Sequence, residues 1–231
     1  MSEIAENWQK LRERIAWAEL AADRMAGSVQ LLAVSKTQPV DAVRAAHACG
    51  QRAFGENYVQ EGVAKIAALP GLGLEWHFIG PLQSNKTREV AEHFHWVHSL
   101  EREKIARRLA EQRPAGLPPL QICIQVNIDD EAGKSGCLPA ALPVLVRSVL
   151  ALPQLQLRGL MCIPRPGNSA AFADLAKTRQ DLLVSIPELS AQHFDTLSMG
   201  MSDDLEAAVA AGSSMVRIGT ALFGRRSQPV A

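Results

Sequence analysis

Residues 31–50 read LLAVSKTQPVDAVRAAHACG. The opening apolar run, Leu31 to Val34, is too short for a helix. From Val40 onward the apolar positions fall at helical steps, Val40, Val43 and Ala46, and Gly50 closes the segment. A short apolar strand that turns at Pro39 into an amphipathic helix is one βα unit. The same rhythm then repeats along the chain. "RAFGEN" precedes "YVQEGVAKIAAL", "WHFIG" precedes "NKTREVAEHF", and "HWVHSL" precedes "EREKIARRLAEQR". "LQICIQVNI" leads into "LPVLVRSVLAL", "LQLRGLMCI" into "FADLAKTRQDLLVSI", "HFDTLSMG" into "SDDLEAAVAAG", and "SMVRIG" into a brief "ALFG".

Eight such units between residues 31 and 224 predict an α/β fold, a closed (β/α)8 TIM barrel, more readily than an open doubly wound sheet, which stays the alternative. An additional N-terminal helix is expected within residues 1–27. Ile4, Trp8, Leu11, Ile15, Ala18, Ala22 and Met25 recur at steps of three and four, and Gly27 follows as a stop. Residues 225–231 form a tail, and the whole of 1–231 reads as a single domain. "PAGLPPL" and "PRPGN" are loops between units, not linkers. The second strand is barely four residues long, and Pro139 and Pro143 obscure the start of the helix after the fifth strand.

The 231 residues carry 24 basic and 24 acidic side chains, so the net field gives no case for nucleic acid as a partner. The start, "MSEIAENWQK", lacks the pattern of a signal peptide, and no apolar run is long enough to span a bilayer. Cys49, Cys123, Cys137 and Cys162 are scattered without a CxxC pair. A reduced, cytoplasmic protein with no metal site and no membrane contact is expected. "AGKSG" imitates the end of a P-loop, but Ile128 stands where the upstream glycine is needed. Lys134 within it is either an exposed loop lysine or a second amine that takes up a cofactor in transit. "NKT" at Asn85 is a glycosylation triplet without a secretory context.

In a barrel, the C-terminal strand ends share one mouth, where chemistry is placed. Of seven lysines, only Lys36 terminates a strongly apolar strand. It could snorkel into solvent, or it could be a partly desolvated amine that condenses with an aldehyde or ketone. Position alone does not choose. In the last two units, Ser198, Gly200 and Ser202 precede one helix, and Gly219 and Thr220 precede another. Small-residue turns after strands seven and eight suit a phosphate, although Ser202 backed by Asp203 and Asp204 is also an ordinary helix cap. Arg217 lies two residues before Gly219, on the same strand face, and needs an acceptor if buried; a structural carboxylate is the plain alternative. Pyridoxal 5′-phosphate combines an aldehyde, a phosphate and a ring nitrogen that match these groups.

The stretches "AVSKTQP", "FGENYVQE", "WHFIGPLQSNK", "GKSGC" and "LSMGMSDDLEAAVAAGSSMVRIGTALFG" closely resemble the pyridoxal phosphate homeostasis proteins, single-domain relatives of the alanine racemase N-terminal barrel. The resemblance runs from about residue 28 to 226. It implies that Lys36 carries pyridoxal phosphate as a covalent aldimine. It implies further that Ser198 and Gly200, with Gly219 and Thr220, hold the phosphate, and that Arg217 faces the pyridine nitrogen. Asn57 would lie beside the ring or its 3′-oxygen. His77 and Ile79 are either ring-side or core residues. A cationic Arg217 would oppose protonation of the ring nitrogen and make the bound cofactor a weaker electron sink, which disfavours transamination but not racemisation.

Three functions are weighed. The first is a non-catalytic binder, with no catalytic residue of its own, that buffers or delivers the cofactor to apo-enzymes. It would thereby serve vitamin B6 homeostasis and amino-acid and keto-acid balance. The second is a pyridoxal-phosphate-dependent racemase or decarboxylase. Those enzymes add a second β-domain, for which no room is expected after the last barrel motif, and use a partner subunit to complete the site. Tyr58, the only tyrosine, is either a second acid or base or a packing residue at the start of the helix after strand two. The third is a cofactor-free Schiff-base aldolase, which needs an acid–base network near Lys36 that the sequence does not reveal. The carrier reading, as a monomer, is the expectation.

Overall fold

Eight parallel strands hydrogen-bond in chain order and the eighth returns to the first, closing a barrel. The computed structural model describes residues 2–224. The strands are β1 (Gln30–Val34), β2 (Ala53–Glu56), β3 (Glu75–Phe78), β4 (Trp96–Leu100), β5 (Leu120–Gln125), β6 (Leu155–Met161), β7 (Thr196–Ser198) and β8 (Met215–Ile218). Closure runs through four register pairs from Gln30↔Met215 to Ala33↔Ile218, with Leu32 opposite Arg217. That pairing excludes the open sheet, because an open sheet would leave β1 and β8 as edges with unpaired backbone groups.

The helices are α1 (Glu3–Ala21), α2 (Val40–Ala48), α3 (Val59–Ala68), α4 (Thr87–His93), α5 (Glu103–Gln112), α6 (Leu142–Leu150), α7 (Ala170–Ser185), α8 (Leu205–Ala210) and α9 (Thr220–Phe223). One continuous apolar layer packs the helices onto the outside of the strands. Inside the barrel are two smaller apolar groups, Leu32, Ala53 and Met215 with Ile79, and Trp96, Cys123 and Met161. No helix among the described residues is long and apolar enough to cross a membrane.

The N-terminal helix is shorter than its apolar spacing suggests. It ends at Ala21, and Met25 is exposed. The buried carboxylate of Glu19 accepts the backbone N–H of Gly27 at 2.9 Å and of Val29 at 2.7 Å, which turns the chain into β1 instead of extending the helix. Arg24 fastens the turn to the Val209 and Ser213 carbonyls. Because α8 and α9 are too short to shield β8 and β1, α1 packs against α8, α9 and α2, burying Leu11, Ile15 and Ala18. After β5 the chain passes through a single 3₁₀ turn at Pro139–Ala141 before α6, where Pro143 occupies the first turn, a position that needs no N–H. The expected tail, 225–231, lies outside the described residues.

Candidate functional site

Lys36 sits in the turn directly after β1, and the backbone around it is tightly constrained. Thr37 has φ 62°, a left-handed conformation that a β-branched residue adopts at a cost. Its N–H is held by the Glu61 carboxylate at 2.5 Å. Glu61 also accepts from the buried Lys65 ammonium at 2.7 Å, which in turn reaches the Ser35 carbonyl at 2.5 Å and the Glu56 carboxylate at 2.8 Å. The Ser35 hydroxyl donates to the same Glu56 oxygen at 2.6 Å. Burial pushes the Glu56 carboxyl up from its ordinary range, against the pull of Lys65 and the Ser35 hydrogen bond. Two strand ends and one helix thus grip the residues on either side of Lys36.

Lys36 lines a cavity of about 490 Å³ at the C-terminal mouth, together with Asn57, Ile79, Arg217, Gly219 and Thr220. Gln38 and Ser202 complete the polar part of the wall. Asn57 follows β2, and its buried Oδ1 has no hydrogen-bond partner among the described residues, leaving amide capacity for a ligand. A Cβ on Gly80 would overlap the Asn57 carbonyl, so the chain after β3 reaches Asn57 only because position 80 lacks a side chain.

Arg217, on β8, is almost fully buried. Its guanidinium donates to the Ser198 carbonyl at 2.5 Å, the Ser198 hydroxyl at 2.9 Å and the Cys162 carbonyl at 2.9 Å. These acceptors are neutral, so the structural-carboxylate alternative does not hold. Burial lowers the Arg217 pKa from its ordinary value, yet a guanidinium starts so high that it remains a cation.

Ser198 is itself fully buried, one layer beneath the cavity, and its hydroxyl is engaged by Arg217 and by His98 Nδ1 at 2.8 Å. Gly200 has φ 96°, and a Cβ there would come within 2.5 Å of the Ala208 Cβ, so it is a close-packing position between β7 and α8. The serine that does face the cavity is Ser202. Helix α8 begins only at Leu205, because the Asp204 carboxylate takes the Met201 N–H at 2.5 Å and folds 201–204 into a turn. Ser202 therefore lines the cavity wall and is not the cap of that helix.

Of the residues singled out from the sequence, Lys36, Asn57, Arg217, Gly219 and Thr220 share the wall of one cavity, whereas Ser198 and Gly200 do not line it. Of the two ring-side alternatives, Ile79 faces the cavity and His77 is buried between Glu75 and His98. Tyr58 is 58% exposed at the start of α3. Lys134 pairs with Glu131 at 2.8 Å. Lys65 and Glu61 escaped the sequence reading, since on α3 they resemble an exposed i, i+4 pair. The one available signal was the lysine's place on a helix face with Val59, Gly62 and Ile66, a face that turns inward.

Residues 1–227 match the family described as "Alanine racemase, N-terminal domain". The chain is 59% identical over 231 residues to a protein of Pseudomonas aeruginosa named "Pyridoxal phosphate homeostasis protein", covering 98% of this chain and 97% of that one. It is 53% identical to the protein of the same name from Escherichia coli, with 98% of each covered. Among solved structures it is similar to PipY of Synechococcus elongatus, determined with pyridoxal phosphate bound: 39% identity, a TM-score of 0.83, and coverage of 96% of this chain and 100% of that one.

Proposed function

The chain belongs to the alanine racemase N-terminal domain family and to its pyridoxal phosphate homeostasis proteins, and on that premise we propose that it binds pyridoxal 5′-phosphate in order to buffer or deliver it. The observation that carries this reading is the single cavity into which an amine-bearing turn, a carboxylate-free arginine, an amide with an unpartnered oxygen and two small-residue turns all converge. The homeostasis proteins and the PLP-bound PipY support the same ligand. When bound, the cofactor supplies an aldehyde that condenses with primary amines and a ring that withdraws electrons.

In this reading Lys36 is the covalent attachment point, and the Glu56, Glu61 and Lys65 network orients it. Asn57 meets the ring-side oxygen. Ser202, Gly219 and Thr220 accommodate the phosphate, while Ser198 and Gly200 hold the arginine and the wall in place. Arg217 discourages a proton on the ring nitrogen, so that electron withdrawal by the ring is weakened. Tyr58, the candidate second acid or base of the racemase reading, is exposed at a helix start, which favours carriage over turnover. The protein would act as a monomer in the reducing cytoplasm, with apo-enzymes as recipients.

Borohydride treatment of the loaded protein should fix the cofactor on the peptide containing Lys36, and Lys36→Ala should remain folded while losing that label; a label found chiefly elsewhere would overturn the assignment. Delivery is tested by transfer to an apo-enzyme in the presence of a trap for free aldehyde. Transfer that survives the trap supports a carrier. Robust racemisation or decarboxylation of any amino acid in a panel would replace the carrier by an enzyme.

A further inference from the structure

A file of polar side chains crosses the barrel interior from its floor to the Arg217 guanidinium. Glu75 is the first residue of β3, at the end of the barrel opposite the mouth, and its side chain is 42% exposed there. Its carboxylate lies 2.7 Å from His77 Nε2. His77 Nδ1 is 2.9 Å from His98 Nε2, and His98 Nδ1 is 2.8 Å from the Ser198 hydroxyl. Ser198 then meets Arg217 at 2.9 Å. The His98–Ser198 bond joins β4 to β7, which are not neighbours, so it spans the barrel lumen.

Only one arrangement of hydrogens satisfies the whole file. An ionised carboxylate accepts, so His77 carries its hydrogen on Nε2. His77 and His98 are fully buried, and desolvation lowers the pKa of both, so each is neutral with one N–H. His77 Nδ1 is then a lone pair, and His98 must donate to it from Nε2. His98 Nδ1 accepts the Ser198 hydroxyl hydrogen, and the Ser198 oxygen accepts from Arg217. Every bond points the same way, from a cation at the mouth to an anion at the floor. Such aligned chains polarise one another in a low-dielectric interior.

We infer that Glu75, His77 and His98 are positioning residues that act through Ser198 to fix the Arg217 guanidinium, so that a carboxylate at the far end of the barrel tunes how the cavity holds a pyridine ring. The relay extends the proposed function, on which its consequence for ligand binding rests. None of the three lines the cavity, and the sheet alone could be closed by apolar residues in their places.

The relay is testable without ligand. Nitrogen NMR of the free protein should find both His77 and His98 as Nε2–H tautomers; either ring in the other tautomer or charged at neutral pH would overturn it. Pyridoxal phosphate titrations then read its consequence, by dissociation constant and by the absorption band of the bound cofactor. His98→Leu should bind roughly two- to tenfold more weakly, the equivalent of one hydrogen bond, with a displaced band. His98→Gln, whose amide can accept and donate in turn, should restore both in large part. Glu75→Gln keeps an acceptor for His77 but removes the charge, and should displace the band in the same direction with unchanged melting. Wild-type band and affinity in folded His98→Leu and Glu75→Gln would overturn the inference. Failure of the wild-type protein to bind pyridoxal phosphate would instead overturn the functional reading, leaving the tautomers to judge the relay.

Discussion

The turn that brings Lys36 to the cavity wall is held by residues that do not themselves line the cavity. A left-handed Thr37 and a buried Lys65–Glu56 pair both cost free energy, and both hold the turn that carries Lys36. The raised Glu56 carboxyl is itself a sign that this charge is not comfortable in the folded protein. Buried pairs of this sort are seldom stabilising relative to apolar replacements, but losing one partner strands the other. Lys65→Met should therefore destabilise the protein by about 3–5 kcal/mol in urea unfolding. At temperatures where it remains folded, it should also slow borohydride-stable attachment at Lys36, because Glu61 and Ser35 lose the ammonium that gathers them. Normal stability together with normal labelling would show the network to be ornamental.

At the scale of elements, the mouth depends on how closely α8 approaches β7. Gly200 allows that approach twice over, by its φ of 96° and by leaving space for Ala208. Gly200→Ala would press against a backbone-anchored methyl and is expected to cost about 1–3 kcal/mol. Because the displaced segment carries the 201–204 turn, pyridoxal phosphate affinity should fall along with stability. An unfolding midpoint and a titration on the same sample measure the two together. By contrast, the Arg14–Glu206 pair that joins α1 to α8 is largely exposed, so Glu206→Gln should change stability by no more than about 1 kcal/mol. What ties α1 down is its buried face and the Glu19 turn, neither of which depends on that pair.

For the whole molecule, the polar file through the barrel predicts acid sensitivity. His77, His95 and His98 sit below their ordinary 6.5 in the fold because burial disfavours the charged ring, His98 well below it. Below that value the unfolded chain takes up protons that the folded chain refuses, so stability falls on acidification. Each fully buried histidine adds a slope of about 1.4 kcal/mol per pH unit in that window. Glu56 acts in the opposite sense, holding its proton to higher pH in the fold, and offsets part of the loss. The melting temperature should drop between about pH 7 and about pH 5, and drop less steeply in His98→Gln. A flat profile would mean that these rings are protonated in the native state. The sequence by itself determined the alternation of strands and helices, and with it the barrel, since periodicity records which face of each segment leaves water. Lys36 and Arg217 were legible too, one as a polar group just past an apolar strand and the other as one within such a strand, and the long terminal motif marked the family. Tertiary structure alone decided that Ser202 and not Ser198 faces the cavity, that Lys65 is buried, that the first helix stops at Ala21, and that Glu75 is linked to Arg217. The burial of Lys65 and the link from Glu75 to Arg217 depend on hydrogen-bond partners that arrive from other strands. The placement of Ser202 and the stop at Ala21 depend on side chains that fold back on their own loops, Asp204 onto Met201 and Glu19 onto Gly27 and Val29. Neither choice of partner is written in the apolar periodicity of a segment.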